Sequence, residues 1–129
     1  MQLYLVRHAE AASGDPDELR PLTPEAAREL GRRLAAEGVR PDAVLTSPLL
    51  RARETAAELA KPTGIEPEPD ERLAPGASAE AVRAAAGDRG STVVVVGHQP
   101  DCGRIAAALT GGPEPKFPPG GMLAIDLPG

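Results

Sequence analysis

Cysteine and aromatic residues are scarce in this chain of 129 residues, which has one cysteine, one tyrosine, one phenylalanine and no tryptophan. A lone Cys102 excludes a disulfide framework within the chain and is typical of a reducing compartment. Two aromatic side chains cannot form a platform on which nucleic-acid bases stack. The net charge of −5 also argues against the broad basic surface that nucleic-acid binding requires. We therefore expect no nucleic acid among the partners.

Long hydrophobic runs are missing as well. No apolar stretch approaches the roughly 18 residues that a membrane-spanning helix needs. The amino terminus has no basic n-region, and Arg7, His8 and Glu10 stand where a signal peptide would continue apolar. We therefore expect a cytoplasmic protein that does not bind membranes. The length suits one domain over 1–129, which we expect to be a monomer.

Two short apolar segments each end at one of the two histidines of the chain. Residues 3–6 precede Arg7 and His8, and residues 92–96 lead to His98. Apolar runs bounded by polar residues are typical of strands buried on both faces. If both strands run parallel in one sheet, the two histidines emerge at the same edge, where ligands bind in open α/β sheets. A lone histidine would more often be structural, but two in matching positions predict a shared site.

Helical and strand patterns alternate along the rest of the chain. The predicted helices span 24–37, 48–61, 79–86 and 100–110, and the further strands span 42–47, 65–68 and 122–127. Such alternation implies βαβ units with right-handed crossovers. The predicted fold is a single-domain, three-layer α/β/α sandwich, with a mostly parallel sheet and helices on both faces.

Arginines gather at the predicted strand ends. Arg7 ends the first strand, Arg20 precedes the first helix, and Arg51 lies in the first turn of the second helix. Arg53 lies about 200° around that helix from Arg51, so we expect it outside the site. Guanidinium groups bind phosphate oxygens in pairs, and helix amino termini also favour anions. The sequence therefore predicts a pocket for a phosphate group.

These residues favour phosphoryl transfer without a metal over two alternatives. No G-x-x-x-x-G-K-[ST] loop is present, which argues against chemistry on a nucleoside triphosphate. No acidic or thiolate cluster accompanies the histidines, and the arginines would place positive charges beside a metal ion. A neutral histidine can instead attack phosphorus and carry the phosphoryl group until water cleaves it. We expect neither a metal nor another cofactor.

Four segments resemble, in order, the signatures of the histidine phosphatase superfamily, whose fold is phosphoglycerate mutase-like. Residues 5–10 resemble its R-H-G/A signature, residues 46–56 its S-P-x-x-R-A-x-x-T-A segment, and residues 96–100 its second-histidine segment. Residues 20–23 resemble the R-P-L-T loop of the small, SixA-like branch of phosphohistidine phosphatases.

The resemblance implies roles for particular residues. His8 is expected to be the nucleophile. The residues expected to hold the phosphoryl oxygens around it are Arg7, Arg51 and His98. Arg20 is expected to face the substrate phosphate, and Ser47 is a further candidate for substrate binding.

A departure from the larger members of the superfamily bears on the substrate. They supply a general-acid glutamate a few residues after a D-E-R-L stretch, whereas here 70–73 are followed by Ala74, Pro75 and Gly76. General-acid catalysis contributes roughly 10²–10⁴-fold, and an alkoxide leaving group needs it. The basic nitrogen of a phosphoramidate can leave without a dedicated acid. Glu10 is a candidate substitute acid, although it is equally consistent with a solvated loop residue.

Three functions follow from these observations. The first is a phosphatase that dephosphorylates phosphohistidine on a protein partner, because a chain without the insertions of larger relatives should have an open pocket. The second is a phosphomonoesterase of the same superfamily that acts on small molecules. The third is a phosphate-binding module without catalytic activity.

Overall fold

The structure, a computed structural model, describes residues 1–9, 23, 25, 26, 29 and 32–128. Its strands are β1 (Gln2–Arg7), β2 (Ala43–Thr46), β3 (Glu68–Pro69), β4 (Thr92–Gly97) and β5 (Met122–Asp126). Its helices are α1 (Arg33–Ala36), α2 (Leu50–Ala60), α3 (Ala79–Ala86) and α4 (Asp101–Thr110), with short 3-10 turns at Lys61–Thr63 and Glu71–Leu73. Within the helix predicted over 24–37, residues 25, 26 and 29 are also helical. The prediction was wrong at Arg32, which is a turn and whose N–H donates to the Glu29 carbonyl, three residues earlier, at 3.2 Å.

The five strands form one sheet in the order β3-β2-β4-β1-β5. Neighbouring strands are parallel except β5, which runs antiparallel to β1. Strands β1 and β4, which are directly followed by His8 and His98, are therefore adjacent and parallel, although most of the chain separates them. Crossover helices that return the chain to the same starting edge explain this arrangement.

Side chains at alternate positions of the central strands pack into two apolar layers, one on each face of the sheet. On one face Leu3 and Val95 pack with the buried sides of α3 and α4. On the other face Val6 and Val94 pack with α2 and with Leu34 of α1. Because side chains point alternately up and down along a strand, a continuous apolar run such as 93–96 supplies both layers. The predicted α/β class, with helices on both faces, is confirmed.

Two further predicted elements differ from the structure. Helix α2 begins at Leu50, two residues later than predicted, and its cap position is Leu49. The backbone N–H of Ser47 still belongs to the sheet ladder, where it donates to the Val96 carbonyl. The predicted edge strand over 65–68 was wrong for most of its length, since β3 consists of Glu68–Pro69 alone. Prolines lack the N–H that a ladder needs, so a proline-rich segment pairs only briefly.

The remaining helix signals agree closely with the structure. Ser78 caps α3, and its hydroxyl accepts the N–H of Ala81 at 3.1 Å. Helix α4 begins one residue after the predicted start at 100. Among the residues that the structure describes, no helix combines the length and the apolar character needed to cross a bilayer.

Candidate active site

Three adjacent strands, β1, β2 and β4, end side by side at one edge of the sheet. The next residues along the chain are His8 after β1, Ser47 after β2 and His98 after β4. Backbone hydrogen bonds extend the ladders past the strand ends, from His8 N–H to the Gly97 carbonyl at 2.9 Å and from Ser47 N–H to the Val96 carbonyl at 3.0 Å. The sheet itself therefore sets the positions of these three side chains.

The two imidazole rings lie against each other. The ring centroids of His8 and His98 are 5.3 Å apart, and the ring planes are tilted by 58°. His98 is buried, with 5% of its surface exposed, whereas His8 is only partly buried. Of the two rings, His8 is therefore the one that is open to an incoming group.

The contacts of the His8 ring indicate which nitrogen carries the proton. Nδ1 lies 2.8 Å from the Ala9 carbonyl oxygen, which can only accept, so Nδ1 must donate. Nε2 lies 3.3 Å from Nε of Arg51, which can only donate. Both partners favour the tautomer with hydrogen on Nδ1 and a lone pair on Nε2.

Arg51 and Arg53 lie on different sides of the first turn of α2. Arg51 is buried, and its guanidinium reaches His8. Arg53 is exposed, and its Nε donates to the Pro48 carbonyl at 2.8 Å. The structure thus brings Arg51 to the His8 ring and leaves Arg53 outside the site.

Arg7 is fixed by the loop that precedes β5. Its Nη1 donates to the Phe117 carbonyl at 2.8 Å, and its backbone N–H donates to the Gly121 carbonyl at 2.9 Å. Its Nε is buried and has no hydrogen-bond partner within the part of the chain that the structure describes. Buried guanidinium N–H groups are seldom left unsatisfied, so Nε is a donor suited to a bound anion.

Ser47 contacts His98 directly. Its Oγ lies 2.6 Å from Nε2 of His98, and it also accepts the N–H of Leu49 at 3.3 Å. The hydroxyl is completely buried. In the structure, Ser47 therefore orients the second histidine.

In the segment after β3, residues 74–77 at the expected position include no carboxylate, and the acidic residues that precede them are Asp70 and Glu71. The Arg72 guanidinium binds the carboxylate of Asp70 at 2.7 Å and lowers the pKa of that carboxyl. Three residues past the 3-10 turn, the N–H of Gly76 donates to the buried carboxylate of Asp101 at 2.7 Å. Asp70 is thus kept ionised at neutral pH, and Asp101 holds the loop against α4.

Some predicted site residues cannot be placed. Arg20 and Glu10 lie outside the described residues. Two contacts were not predicted from the sequence. The Phe117 carbonyl accepts a hydrogen bond from Arg7, and the Thr55 hydroxyl accepts one from the backbone N–H of Ala9. A backbone acceptor leaves no side-chain signal, whereas Thr55 belongs to the quoted S-P-x-x-R-A-x-x-T-A segment.

The other candidate sites are less suited to this chemistry. Across the described ranges, no group of three or more His, Cys, Asp or Glu side chains could hold a metal ion. A cleft of about 520 Å³ lies near the start of β2, lined by Val39, Arg40, Pro62 and Ile65 among others. That position is at the opposite end of β2 from Ser47, so the cleft is separate from the histidine pair.

Comparisons with known proteins find relatives of this chain by sequence. The sequence model of the histidine phosphatase superfamily (branch 1) matches residues 3–75. An uncharacterized protein of Picosynechococcus sp. is 40% identical over 125 residues, covering 87% of this chain and 74% of the relative.

Solved structures extend the comparison. The protein histidine phosphatase SixA, complexed with tungstate, has a TM-score of 0.86 at 28% identity, covering 98% of this chain and 88% of that one. A protein of Agrobacterium tumefaciens proposed to be the phosphohistidine phosphatase SixA has a TM-score of 0.80 at 27% identity, covering 97% of this chain and 90% of that one.

Proposed function

The chain belongs to the histidine phosphatase superfamily, and we propose that it is a phosphatase in which Nε2 of His8 accepts the phosphoryl group and passes it to water. The observation that carries the proposal is the state of the His8 ring. Its Nδ1–H is engaged by the Ala9 carbonyl, which leaves the lone pair on Nε2 beside the Arg51 guanidinium. A nucleophile next to fixed cationic donors is what attack on a phosphoryl group requires.

In the first step, the Arg51 Nε–H moves from Nε2 of His8 to a phosphoryl oxygen. The released lone pair of Nε2 forms a bond to phosphorus while the bond from phosphorus to the leaving group breaks. The leaving group departs with that electron pair. The imidazole gains positive charge, which the Nδ1–H bond to the Ala9 carbonyl stabilises. Arg7, Arg51 and His98 are the residues proposed to hold the phosphoryl oxygens, where negative charge is concentrated during transfer.

In the second step, a water oxygen attacks phosphorus and the bond to Nε2 breaks. The electron pair returns to Nε2, and the proton of the water leaves with inorganic phosphate or passes to solvent. Both steps use the same donors, because the two transition states place charge on the same phosphoryl oxygens.

We further propose phosphohistidine on a protein partner as the substrate. The leaving nitrogen of a phosphoramidate is basic enough to take its proton from water, so it departs as a neutral amine or imidazole without an enzymic acid. The Asp70 carboxyl, whose pKa is lowered by Arg72, is a poor proton donor at neutral pH. The two solved relatives also support this class, since one is a protein histidine phosphatase and the other is proposed to be one. Tungstate, bound in the first of them, is a tetrahedral oxyanion like phosphate.

The test measures turnover and a covalent intermediate together. Wild-type protein and His8→Ala are given a histidine-phosphorylated phosphotransfer domain, phosphoramidate and an alkyl phosphate. We expect the wild-type protein to hydrolyse the first two in preference to the ester and to yield an acid-labile phosphoryl-enzyme on rapid quenching. His8→Ala should lose both signals, because the alanine side chain has no nitrogen that can form the bond to phosphorus.

The alternatives give different results. Faster turnover of the alkyl phosphate than of phosphoramidate would instead identify a small-molecule phosphomonoesterase. Tight phosphopeptide binding without turnover would identify a binding module. Undiminished turnover by His8→Ala would refute the mechanism.

A further inference from the structure

Thr55 lies on the second turn of α2 and is completely buried. Its hydroxyl donates to the Arg51 carbonyl, one turn earlier on the same helix, at 2.7 Å. The same oxygen accepts the backbone N–H of Ala9 at 3.0 Å. One hydroxyl thus joins the helix that carries Arg51 to the residue directly after His8.

These two bonds complete a closed circuit. The Nδ1–H of His8 donates to the Ala9 carbonyl at 2.8 Å, and Nε of Arg51 donates to Nε2 of His8 at 3.3 Å. The path therefore runs from the His8 ring through Ala9 to Thr55, on to the Arg51 backbone, and back through the Arg51 side chain to the ring. Hydrogen bonds joined in this way constrain one another, and the two that involve the Thr55 hydroxyl are buried.

The intrahelical bond alone would carry little meaning, because threonines in helices often donate to the carbonyl one turn back. The bond to Ala9 is different, since it crosses from helix to strand end. An apolar replacement would leave the Ala9 N–H buried without the acceptor that Thr55 provides. Because a buried, unsatisfied N–H is costly, the backbone of Ala9 is expected to shift toward another acceptor. The Ala9 carbonyl that holds Nδ1 of His8 belongs to the same residue and would move with it.

We propose that Thr55 is a positioning residue, whose hydroxyl holds the backbone of Ala9 so that His8 keeps its Nδ1-protonated tautomer and its Nε2 stays in contact with Arg51. The inference rests on the proposed function, in which Nε2 is the attacking atom. Misplacement of a reacting atom by about 1 Å can cost roughly 100-fold in rate.

The chain offers a control in the 3-10 turn Lys61–Thr63, which follows the end of α2. The Thr63 hydroxyl donates to the Ala60 carbonyl at 2.6 Å and accepts the N–H of Ile65 at 3.0 Å. Thr63→Val therefore removes the same two kinds of contact as Thr55→Val, a donation to a backbone carbonyl and an acceptance of a backbone N–H, but away from the histidines.

The experiment compares Thr55→Val, Thr55→Ser and Thr63→Val, with phosphoramidate as the probe. We expect kcat of Thr55→Val to fall by about 10- to 100-fold with KM changed by no more than about twofold. Thr55→Ser keeps the hydroxyl and should stay within about threefold of wild-type kcat, as should Thr63→Val. Nitrogen-15 NMR of the histidine rings should show the Nδ1–H tautomer of His8 in wild type and Thr55→Ser, and a mixture of tautomers in Thr55→Val.

Three results would overturn the inference. Thr55→Val could fold and keep the wild-type kcat and the wild-type tautomer of His8. Alternatively, Thr55→Ser or Thr63→Val could lose as much activity as Thr55→Val. If Thr55→Val does not fold, Thr55→Ala replaces it in the comparison with Thr55→Ser, and equal kcat and tautomers in that pair would equally refute the role of the hydroxyl. If wild-type protein fails to turn over any probe, the proposed function fails, while the tautomer comparison still decides whether Thr55 controls His8.

Discussion

The Nε2 atom of His98 lies 2.6 Å from Oγ of Ser47, although the two residues are 51 positions apart in the sequence. Both side chains are buried, and the serine oxygen also receives the N–H of Leu49 at the entrance to α2. Parallel pairing of β2 with β4 brings the two residues together, because each directly follows its strand. The contact holds the Nε2 side of the His98 ring and so limits rotation of that ring.

Replacement of Ser47 by alanine should therefore slow catalysis. Loss of a hydrogen bond worth about 1.5 kcal/mol in the transition state corresponds to roughly a tenfold fall in kcat. The measurement is steady-state turnover of phosphoramidate. Ser78→Ala is the control, because it removes a serine hydroxyl that only caps α3. The control should lower the free energy of unfolding by about 0.5–2 kcal/mol and leave kcat unchanged. Equal kcat for Ser47→Ala and wild type would contradict an orienting role for the serine.

Arg51 and Arg53 provide a second matched pair. Arg51→Lys replaces a buried planar fork that contacts His8 with a single ammonium, and lysine cannot reproduce paired donation to phosphoryl oxygens. We expect kcat to fall by about 100- to 1000-fold, as on loss of a donor to a developing oxyanion. Arg53→Lys alters only an exposed contact with the Pro48 carbonyl and should stay near wild type. Similar losses in both variants would show that α2 tolerates neither change, contrary to the assigned roles.

The loop before β5 should be sensitive to added volume. A Cβ at Gly121 would lie 2.8 Å from the Cδ and the carbonyl oxygen of Pro118, so the loop must shift to accept alanine. Gly121→Ala should cost about 1–3 kcal/mol in unfolding free energy and lower kcat as well, because this loop holds the backbone of Arg7.

Gly112→Ala is the control for that loop. A Cβ there would meet only the Thr110 hydroxyl, at 3.6 Å, which is an ordinary contact. Urea unfolding monitored by circular dichroism should show a change of no more than about 0.5 kcal/mol. If both glycine variants are equally stable and active, the loop does not support Arg7 in the way its contacts suggest.

Cys102 gives a prediction about pH. Burial raises the pKa of its thiol to about 12, with a contribution from the Asp101 carboxylate and a smaller opposing one from Arg7. The folded state therefore binds the proton more tightly than the unfolded chain. The resulting stabilisation is complete below the ordinary thiol pKa and is lost as pH rises from about 9 toward about 12.

Two measurements check this prediction. The unfolding free energy of wild type should fall with pH over that window more steeply than that of Cys102→Ala, whose pH dependence lacks the thiol. A thiol reagent at pH 8 should modify Cys102 only after denaturation, because the buried thiol stays protonated. Rapid modification of the folded protein, or identical pH slopes for the two proteins, would contradict this account.

Much of the fold follows from local patterns in the sequence. The apolar run over 93–96 predicts a strand buried on both faces, and Ser78 predicts the start of α3; both agree with the structure. The weak edge near 65–68 could not be placed from sequence, because two prolines limit the pairing to Glu68–Pro69. The start of α2 was also missed, since Ser47 resembles a helix cap and accepts the N–H of Leu49, but its side chain also contacts His98 and the helix begins only at Leu50.

The sequence by itself determined that two strands end in histidines, that arginines cluster at strand ends, and that strands and helices alternate. These features can be recognised from the short-range spacing of apolar residues, because burial of one or both faces of a strand or helix sets that spacing. Only the tertiary structure decided which nitrogen of His8 holds the lone pair, that Ser47 orients His98, and that Thr55 and Phe117 connect the site to distant segments. Such contacts join atoms brought together by packing, and many of them use backbone groups that every residue possesses. Residue type therefore cannot reveal them before the chain has folded.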